Sequence, residues 1–590
     1  MTWILVIILP MLAALALPWV VARPRVLGAW LTLATMPALV AAWLAPEPVY
    51  VPWMLLGVDL GVDGTRRVLL VLAAVLWACA GACAGGYMRG QPRLIGYSLS
   101  FLGAMSGNFG LIIAGDAATF YTCFALMTFA SYGLVIHSRE AVAVRAGRVY
   151  LVMAILGELF LISALYLAVQ AAGDMRLDRL APALAEAPYG QLIFIIGLIG
   201  FGVKVGAIPL YFWLPLAHPV APAPASAVLS GCMIKAGLIG WMHLAPAGMV
   251  EWSTLATVVI ALGMTAAIGA VVIGLCQTDP KTNLAYSSIS QMGLITTMMG
   301  IGLHGGIPHA WMMPALALYA LNHGLAKGLL FLGTALPTAL TGKWRIAMWA
   351  GLGFGVLAIA GGPLTAGAFT KYLLKTFATE APAPWPTLLP VLFIISAIAT
   401  TLLLSRFLFL LSRKSPPTPG TATPWAMLAP WLVLFGFGAT WLWALPGLVH
   451  RGLLEEITKG ASLSAFQIST GVVWGALWPI VAGAVVFLVL GVKLRLPFFV
   501  QASRPLVPPG DFLAPILAVG RAIVAMVVAA IARLRVLPMP KVNLENNIYQ
   551  LLETENTRKT TRDIDDWMRN LPVAGAGFAL LFLIFILLIR

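Results

Sequence analysis

The chain has 590 residues, of which 61% are hydrophobic and only 10% charged, and its mean hydropathy is +0.95. A soluble protein carries about a quarter charged residues, so one large water-soluble domain is excluded. The net charge of +15 sits mostly in short loops between apolar runs, where it orients a membrane protein. No basic stripe with interleaved aromatics points to nucleic acid.

Sixteen apolar runs are predicted as membrane spans, near 3–21, 26–45, 67–86, 94–113, 117–136, 148–170, 191–216, 222–245, 254–276, 284–303, 310–333, 346–377, 388–411, 426–448, 470–492 and 572–589. At about 1.5 Å per residue each covers ~30 Å of hydrocarbon. The first has no basic leader and no small-residue cleavage site, and reads as a retained span. Cys79, Cys83, Cys123, Cys232 and Cys276 all lie inside apolar runs. They read as small core residues, and nothing of the C-x-x-C type prepares a cluster or zinc site. Loops on one side carry Arg23, Arg25, Arg89, Arg93, Arg139, Arg145, Arg148, Lys343, Arg345, Arg413 and Lys414. The other side carries chiefly Arg66, Arg67, Arg176, Arg179 and Arg451. The positive-inside rule then places the N-terminus outside the cell.

Two spans are interrupted. The seventh runs into Pro209, Pro215, Pro219, Pro222 and Pro224, and the twelfth carries Gly361, Gly362 and Pro363 in its middle. Such breaks persist at membrane depth only where protein or a wet cavity surrounds them. Two interrupted helices five spans apart predict inverted repeats. The chain is thereby divided into N-terminal helices (1–93), a first repeat (94–250), a second repeat (251–414), two further spans (415–494), a lateral amphipathic segment (495–571) and a terminal anchor (572–590). The lateral segment holds an apolar stretch near 511–535 and a polar helical stretch with Glu545, Glu553, Lys559 and Asp566. About 60 helical residues would reach roughly 90 Å, far more than a loop needs. Either 511–535 crosses as a further span, or the segment lies along the membrane against a neighbouring subunit.

Ionisable groups inside apolar runs carry the functional signal: Glu158, Lys204, Lys235, His323, Lys327 and Lys371, with His218 beside the proline break. A charge at mid-bilayer costs ~2.5–3.5 kcal/mol on insertion scales, so six such groups cost on the order of 15 kcal/mol. A membrane protein rarely carries that without use. Desolvation lowers a lysine pKa and a nearby carboxylate raises it again. A lysine poised between these limits gains or loses a proton when a neighbouring charge moves, and histidine is already close to that point.

Several long motifs occur in order. They are GVDG (Gly61–Gly64), GFGVKVGAIPLYFWLPLAHPVAPAPASAVLSGCMIKAGL (Gly200–Leu238), QTDPKTNLAYSSISQMG (Gln277–Gly293), NHGLAKGLLFLG (Asn322–Gly333) and GGPLTAGAFTKY (Gly361–Tyr372). Over roughly residues 60–410 the chain resembles the antiporter-like membrane subunits of respiratory complex I, of multisubunit sodium/proton antiporters, and of membrane-bound hydrogenase and formate hydrogenlyase complexes. The resemblance implies an all-α polytopic fold. Its core would be fourteen helices in two inverted five-helix repeats with broken helices 7 and 12, followed by a lateral helix and an anchor. It implies proton translocation through Lys204 of the broken seventh helix, His218, Lys235 of the eighth, the His323/Lys327 pair of the eleventh, and Lys371 of the broken twelfth.

The sequence departs from the family in two places. The fifth helix of relatives carries a Trp-Glu pair whose Glu partners the seventh-helix lysine; here FYTCFALMTFASYGL places Phe124 and Ala125 there. The acidic residue of the family's LPDAH is replaced by Leu216. Glu158 is expected to substitute for the fifth-helix carboxylate. It and Ala125 both lie ~15–17 Å from the short loop joining spans five and six, so they share a depth on antiparallel neighbours. No cofactor motif occurs in this chain, and any catalytic redox centre belongs to partner chains. The function read here is a proton-translocating subunit of a redox-driven complex, with antiporter-like and peripheral redox subunits as partners, in a bacterial inner membrane. The alternatives are a subunit of a secondary sodium/proton antiporter, and an inert scaffold, against which the retained lysines argue.

Overall fold

The structure is a computed structural model that describes residues 2–21, 23–54, 56–337, 340–413, 425–449, 470–493 and 507–510. Apart from 507–510, the predicted lateral segment and terminal anchor (495–590) lie outside the described residues.

The chain begins with two interrupted apolar runs, α1 (Thr2–Leu15) with α2 (Leu17–Val21), and α3 (Pro24–Leu33) with α4 (Met36–Leu44). Proline in the first turn of α3 and of α4 suits a position whose amide has no helical partner. An antiparallel hairpin follows, β1 (Val49–Val51) paired with β2 (Val58–Leu60); the span count did not anticipate it. Asp63 then starts α5 (Gly64–Tyr87) by accepting a hydrogen bond from the Arg66 amide at 2.8 Å, an N-cap. α6 (Leu94–Ile113), α7 (Ala117–Val135) and α8 (Ala141–Ala172) follow and lead into a connecting stretch. There α9 (Leu177–Glu186), also unanticipated, buries Leu177, Leu180 and Leu184, the i, i+3, i+7 stripe of a helix lying on a core.

The seventh predicted span is two helices, α10 (Gly190–Val205) and α11 (Trp213–Val220). The eighth is α12 (Ala223–Val228), a π-helical turn (Leu229–Met233) and α13 (Lys235–Leu244). Then come α14 (Ser253–Leu275), α15 (Pro280–Gly302) and α16 (His309–Gly333). The twelfth span is again two helices, α17 (Gly342–Ala360) and α18 (Ala366–Phe377). α19 (Trp385–Ser412), α20 (Trp425–Val449) and α21 (Thr470–Phe487) are the last described helices.

Ten helical stretches among the described residues are long and apolar enough to cross a membrane, against the sixteen runs predicted for the whole chain. Part of the difference is the two broken spans, whose halves are short. Part is polarity: α15 buries Asn283, Ser287, Ser288, Ser290, Gln291, Thr296 and Thr297. A helix enclosed by protein on every side does not need to be apolar, since its neighbours satisfy its polar groups. From Met312 onward every residue of α16 is buried as well, and so is the segment 223–244 over its apolar window. α12–α13, α15 and α16 therefore form the spine of the molecule, and the chemistry-bearing residues hang from it.

Candidate ion-conduction site

The incoming helix of the first break, α10, ends at Gly206, whose φ of 77° suits the left-handed C-cap position. The amides of Gly206 and Ala207 fold back onto the Gly202 carbonyl at 3.0 and 2.9 Å. The next carbonyl, Val203, accepts the Trp213 Nε1–H at 2.7 Å. Lys204, in the last turn of α10, thus points its ammonium elsewhere. Nζ donates to Thr128 Oγ1 at 3.1 Å and to the Tyr150 hydroxyl at 3.0 Å. It also stands 5.8 Å and 5.4 Å from the Phe124 and Tyr150 ring centroids, within cation–π range. The Tyr150 hydroxyl in turn donates to the Thr128 carbonyl at 2.9 Å, which fixes it as an acceptor for the ammonium.

Helix α8 packs against α10 backbone to backbone: a Cβ on Gly200 would meet the Leu161 amide nitrogen at 2.6 Å. That approach brings Glu158 beside Lys204. Glu158 is buried, its electrostatic neighbours are Lys204 and Thr128, and neither carboxylate oxygen makes a hydrogen bond. It accompanies the lysine without gripping it. Phe124, in the place of the family's tryptophan, is the aromatic wall of the same pocket.

The π-helical turn shapes the central cluster. There the Ile234 amide bonds five residues back, to Leu229 at 3.2 Å, and Lys235 Nζ takes the Ser230 carbonyl at 2.7 Å. This turn crosses α16 where both helices carry glycine; a Cβ on Gly324 would lie 2.5 Å from the Gly231 carbonyl oxygen. The crossing sets Lys235 opposite His323 and Lys327, one turn apart on α16. Lys327 Nζ donates to the Leu284 carbonyl at 2.7 Å and to the Ser287 hydroxyl. His218 stacks on Phe331, with centroids 4.5 Å apart and planes at 22°. His323 senses Lys235 and Lys327; His218 senses Lys327, Lys281 and Lys235. All four ring nitrogens of the two histidines are buried without a hydrogen-bond partner, while Ser230 and Ser288 bond to each other at 2.8 Å between them and α15.

At the second break, Gly361 has φ 85°, and the amides of Gly361 and Gly362 fold onto the Leu357 carbonyl at 2.9 and 2.7 Å. Lys371 Nζ takes the Ala360 carbonyl at 2.7 Å. Lys371 and Lys375 line a cavity of about 270 Å³ together with Leu294, Phe393 and Gly475. Among the described residues, the one charged neighbour Lys371 senses is Lys375.

The seven sequence-predicted residues therefore fall into three groups: Glu158 with Lys204; His218, Lys235, His323 and Lys327; and Lys371. Polar side chains stand between the second and third. Tyr319 donates to Gln291 Oε1 at 3.0 Å, Gln291 Nε2 to Thr400 Oγ1 at 3.4 Å, and Asn322 Nδ2 to the Ala358 carbonyl at 3.1 Å. Thr128, Tyr150, Ser287 and Ser230 were not singled out from sequence. The available signal was their polarity within apolar runs, which is weak for a hydroxyl that bonds its own helix.

Residues 114–400 match the family described as NADH:quinone oxidoreductase/Mrp antiporter, TM. Hydrogenase-4 component B of Escherichia coli (strain K12) is 34% identical over 238 residues, 38% of this chain and 34% of that protein. The chain thus spans about a third of that relative's length. NADH-quinone oxidoreductase subunit N of Desulforudis audaxviator (strain MP104C) is 27% identical over 449 residues, 70% of this chain and 85% of that protein. A chain in the structure of the Mrp complex from Dietzia sp. DQ12-45-1b aligns with a TM-score of 0.72 at 22% identity, over 92% of this chain and 64% of that one, a likeness of fold.

Proposed function

We propose that this chain, whose residues 114–400 match the family described as NADH:quinone oxidoreductase/Mrp antiporter, TM, is the proton-translocating subunit of a multisubunit, redox-driven membrane complex. Protons pass along Lys204, Lys235, His323, Lys327 and Lys371, with Glu158 and His218 adjusting the charge around them. The observation that carries this reading is the way the four lysines are held. Each ammonium donates to neutral oxygens: Thr128 and Tyr150, Ser230, Leu284 and Ser287, and Ala360. A carboxylate clamp would fix the charge in place, whereas a carbonyl or hydroxyl bonds the ammonium without a compensating charge. Lys235 and Lys327 share neighbours, so a proton arriving on one favours loss from the other. This is how charge is pushed along the row.

In this reading 94–250 and 251–414 are the two inverted repeats of a fourteen-helix core, with α10–α11 and α17–α18 as equivalent broken helices. Lys204 is loaded from the side of Arg89, Arg139 and Arg413, taken as cytoplasmic, and Lys371 discharges to the opposite side of a bacterial inner membrane. Electrons move in peripheral partner subunits, and other antiporter-like subunits adjoin this one. The test is Lys204→Ala in the complex reconstituted in sealed vesicles: proton uptake driven by the redox reaction is expected to vanish while subunit composition is unchanged. Uptake at the normal rate overturns the assignment.

A further inference from the structure

A second cavity, of about 620 Å³, opens at the other end of the spine from the π-helical turn, between the starts of α5, α9 and α16 and the end of α13. None of the seven residues of the proposed axis lines it, and it shares no lining residue with the cavity of Lys371. Its rim is charged. Arg66 pairs with Asp63 at 2.7 Å, and Arg176 with Asp178 at 2.8 Å; Asp59 of β2 and His309 complete it. Arg66 Nη1 also donates to the Ala114 carbonyl, which anchors the rim to the end of α6. Burial pushes the Asp63 carboxyl up, but the Arg66 guanidinium and its hydrogen bonds outweigh that and hold it below the usual carboxylate range. The Asp63–Arg66 pair is therefore ionised at neutral pH.

The inner wall is apolar except for one group. Ile239 and Met242 of α13 and Met313 and Pro314 of α16 line it, with His243 among them. His243 Nε2 is buried and has no hydrogen-bond partner, and the ring packs edge-on to Phe120 of α7 at 5.5 Å. The charged and titratable groups facing it are Asp63 and Arg66 at the start of α5, Asp178 of α9 and His309 of α16. A buried ring nitrogen left unpaired is costly, and a polar-rimmed space of this size accommodates the water that would pair it.

Helix α13 joins this cavity to the axis. Lys235 is its first residue, and Ile239 and His243 follow at intervals of four, so the three sit on successive turns of roughly one face, each about 6 Å further along. The cavity reaches Ile239. One apolar turn therefore separates it from the Lys235 backbone; the ammonium lies further off, on the Ser230 carbonyl, and must swing toward Ile239 to reach the cavity.

We propose that this cavity is a second outlet of the proton axis, in which His243 carries the proton between Lys235 and the charged rim and Ile239 is a hydrophobic gate. When water passes Ile239, the proton leaves Lys235 Nζ, His243 Nε2 accepts it, and the imidazolium returns it to water at the rim. When the site at Ile239 is dry, the two are insulated, as dewetted constrictions are in channels. The proposal rests on Lys235 being a carrier and adds a route that does not involve Lys371.

The experiment uses the whole complex in sealed vesicles, with Ile239→Cys and, at the mouth, Pro182→Cys, an exposed lining residue with no part in the charged rim. The five native cysteines are buried, so the unaltered chain gives the blank. A membrane-impermeant, charged thiol reagent applied from the Asp63 side is expected to modify both variants. It is expected to slow proton uptake roughly tenfold in Ile239→Cys and to leave the rate of Pro182→Cys unchanged. His243→Gln is expected to lower uptake and flatten its dependence on pH at that face. Labelling at 182 but not at 239 overturns the outlet while leaving the lysine axis standing; should Ile239→Cys fail to assemble, Met313→Cys probes the same wall. An unaltered rate and pH profile in His243→Gln overturns the role of the histidine. Normal uptake in Lys235→Ala, by contrast, sinks the axis reading itself.

Discussion

At both helix breaks a glycine with positive φ closes the incoming helix, and two successive amides fold back onto one carbonyl. The carbonyl that follows takes a side-chain N–H at both, the Trp213 indole on Val203 and the Asn322 amide on Ala358; the breaks differ in what the lysine bonds. At the first, the Trp213 indole takes Val203, and the lysine turns to two hydroxyls with a carboxylate nearby. At the second, the lysine itself takes Ala360, and the charged neighbour it senses is another lysine. The first ammonium is therefore held by two hydroxyls, with a carboxylate beside it that makes no hydrogen bond. The second is held by a backbone carbonyl and lines a cavity of about 270 Å³. The same backbone solution thus holds its lysine in two ways, by hydroxyls at the first break and by a carbonyl at the second.

Removing the carboxylate attacks this contrast most directly. Glu158→Gln is expected to cut redox-driven proton uptake by roughly tenfold or more, since the carboxylate beside the Lys204 ammonium is then lost. Wild-type uptake in that variant would mean that the first lysine, like the second, needs no acid. The double change Ala125→Glu with Glu158→Ala returns the acid to the fifth span and is expected to recover part of the rate. If it recovers nothing, the position of the carboxylate matters and not merely its depth.

Backbone packing at the breaks gives the next effect. A Cβ on Gly367 would overlap the Ala358 carbonyl oxygen, so Gly367→Ala forces α17 and α18 apart. Overpacking of that kind costs about 1–3 kcal/mol. It should appear as a lower melting temperature of the purified complex together with weakened uptake. Gly206→Ala at the first break runs into Leu214 Cδ1 and adds the left-handed backbone penalty of about 1–2 kcal/mol. Equal losses of uptake in the two variants would show that both breaks act as rigid supports. A larger loss at Gly367 is expected, because there the lysine bonds the backbone itself.

Much of this was legible before the fold was known, for a physical reason: charge inside an apolar run is expensive, so Lys204, Lys235, Lys327 and Lys371 stand out one by one. Proline likewise marked the seventh span from Pro209 onward, and glycine with proline marked 361–363 in the twelfth. What could not be read is how these residues group, because that depends on helix rotation. The π-helical turn at 229–233 has one glycine and no proline to announce it, and it packs against Gly324, nearly a hundred residues on. Yet it decides where Lys235 points. Helix α15 was counted as an ordinary span although its serines and threonines form the inner wall of the central cluster. His243 passed unnoticed because a lone histidine at the end of an apolar run is common; its neighbours Asp63, Asp178 and His309 come from three distant stretches of chain.

The smallest expected effect tests the aromatic donor itself. Trp213→Phe keeps a ring to face Tyr150, whose centroid lies 5.2 Å away in an edge-on packing, but removes the Nε1–H bonded to Val203. Val203 then keeps only the Gly206 amide at 3.3 Å, and one lost hydrogen bond costs about 1 kcal/mol, a modest fall in melting temperature. The consequence for transport is more specific. Val203 adjoins Lys204, so its freed carbonyl offers the ammonium the kind of acceptor that Ala360 offers Lys371. If the indole is what separates the two sites, Trp213→Phe should make uptake less sensitive to loss of the carboxylate: Glu158→Gln in the Trp213→Phe background should lose less activity than Glu158→Gln alone. Strictly additive losses would show that the tryptophan only caps the helix, and that the difference between the breaks arises from the hydroxyls of Thr128 and Tyr150.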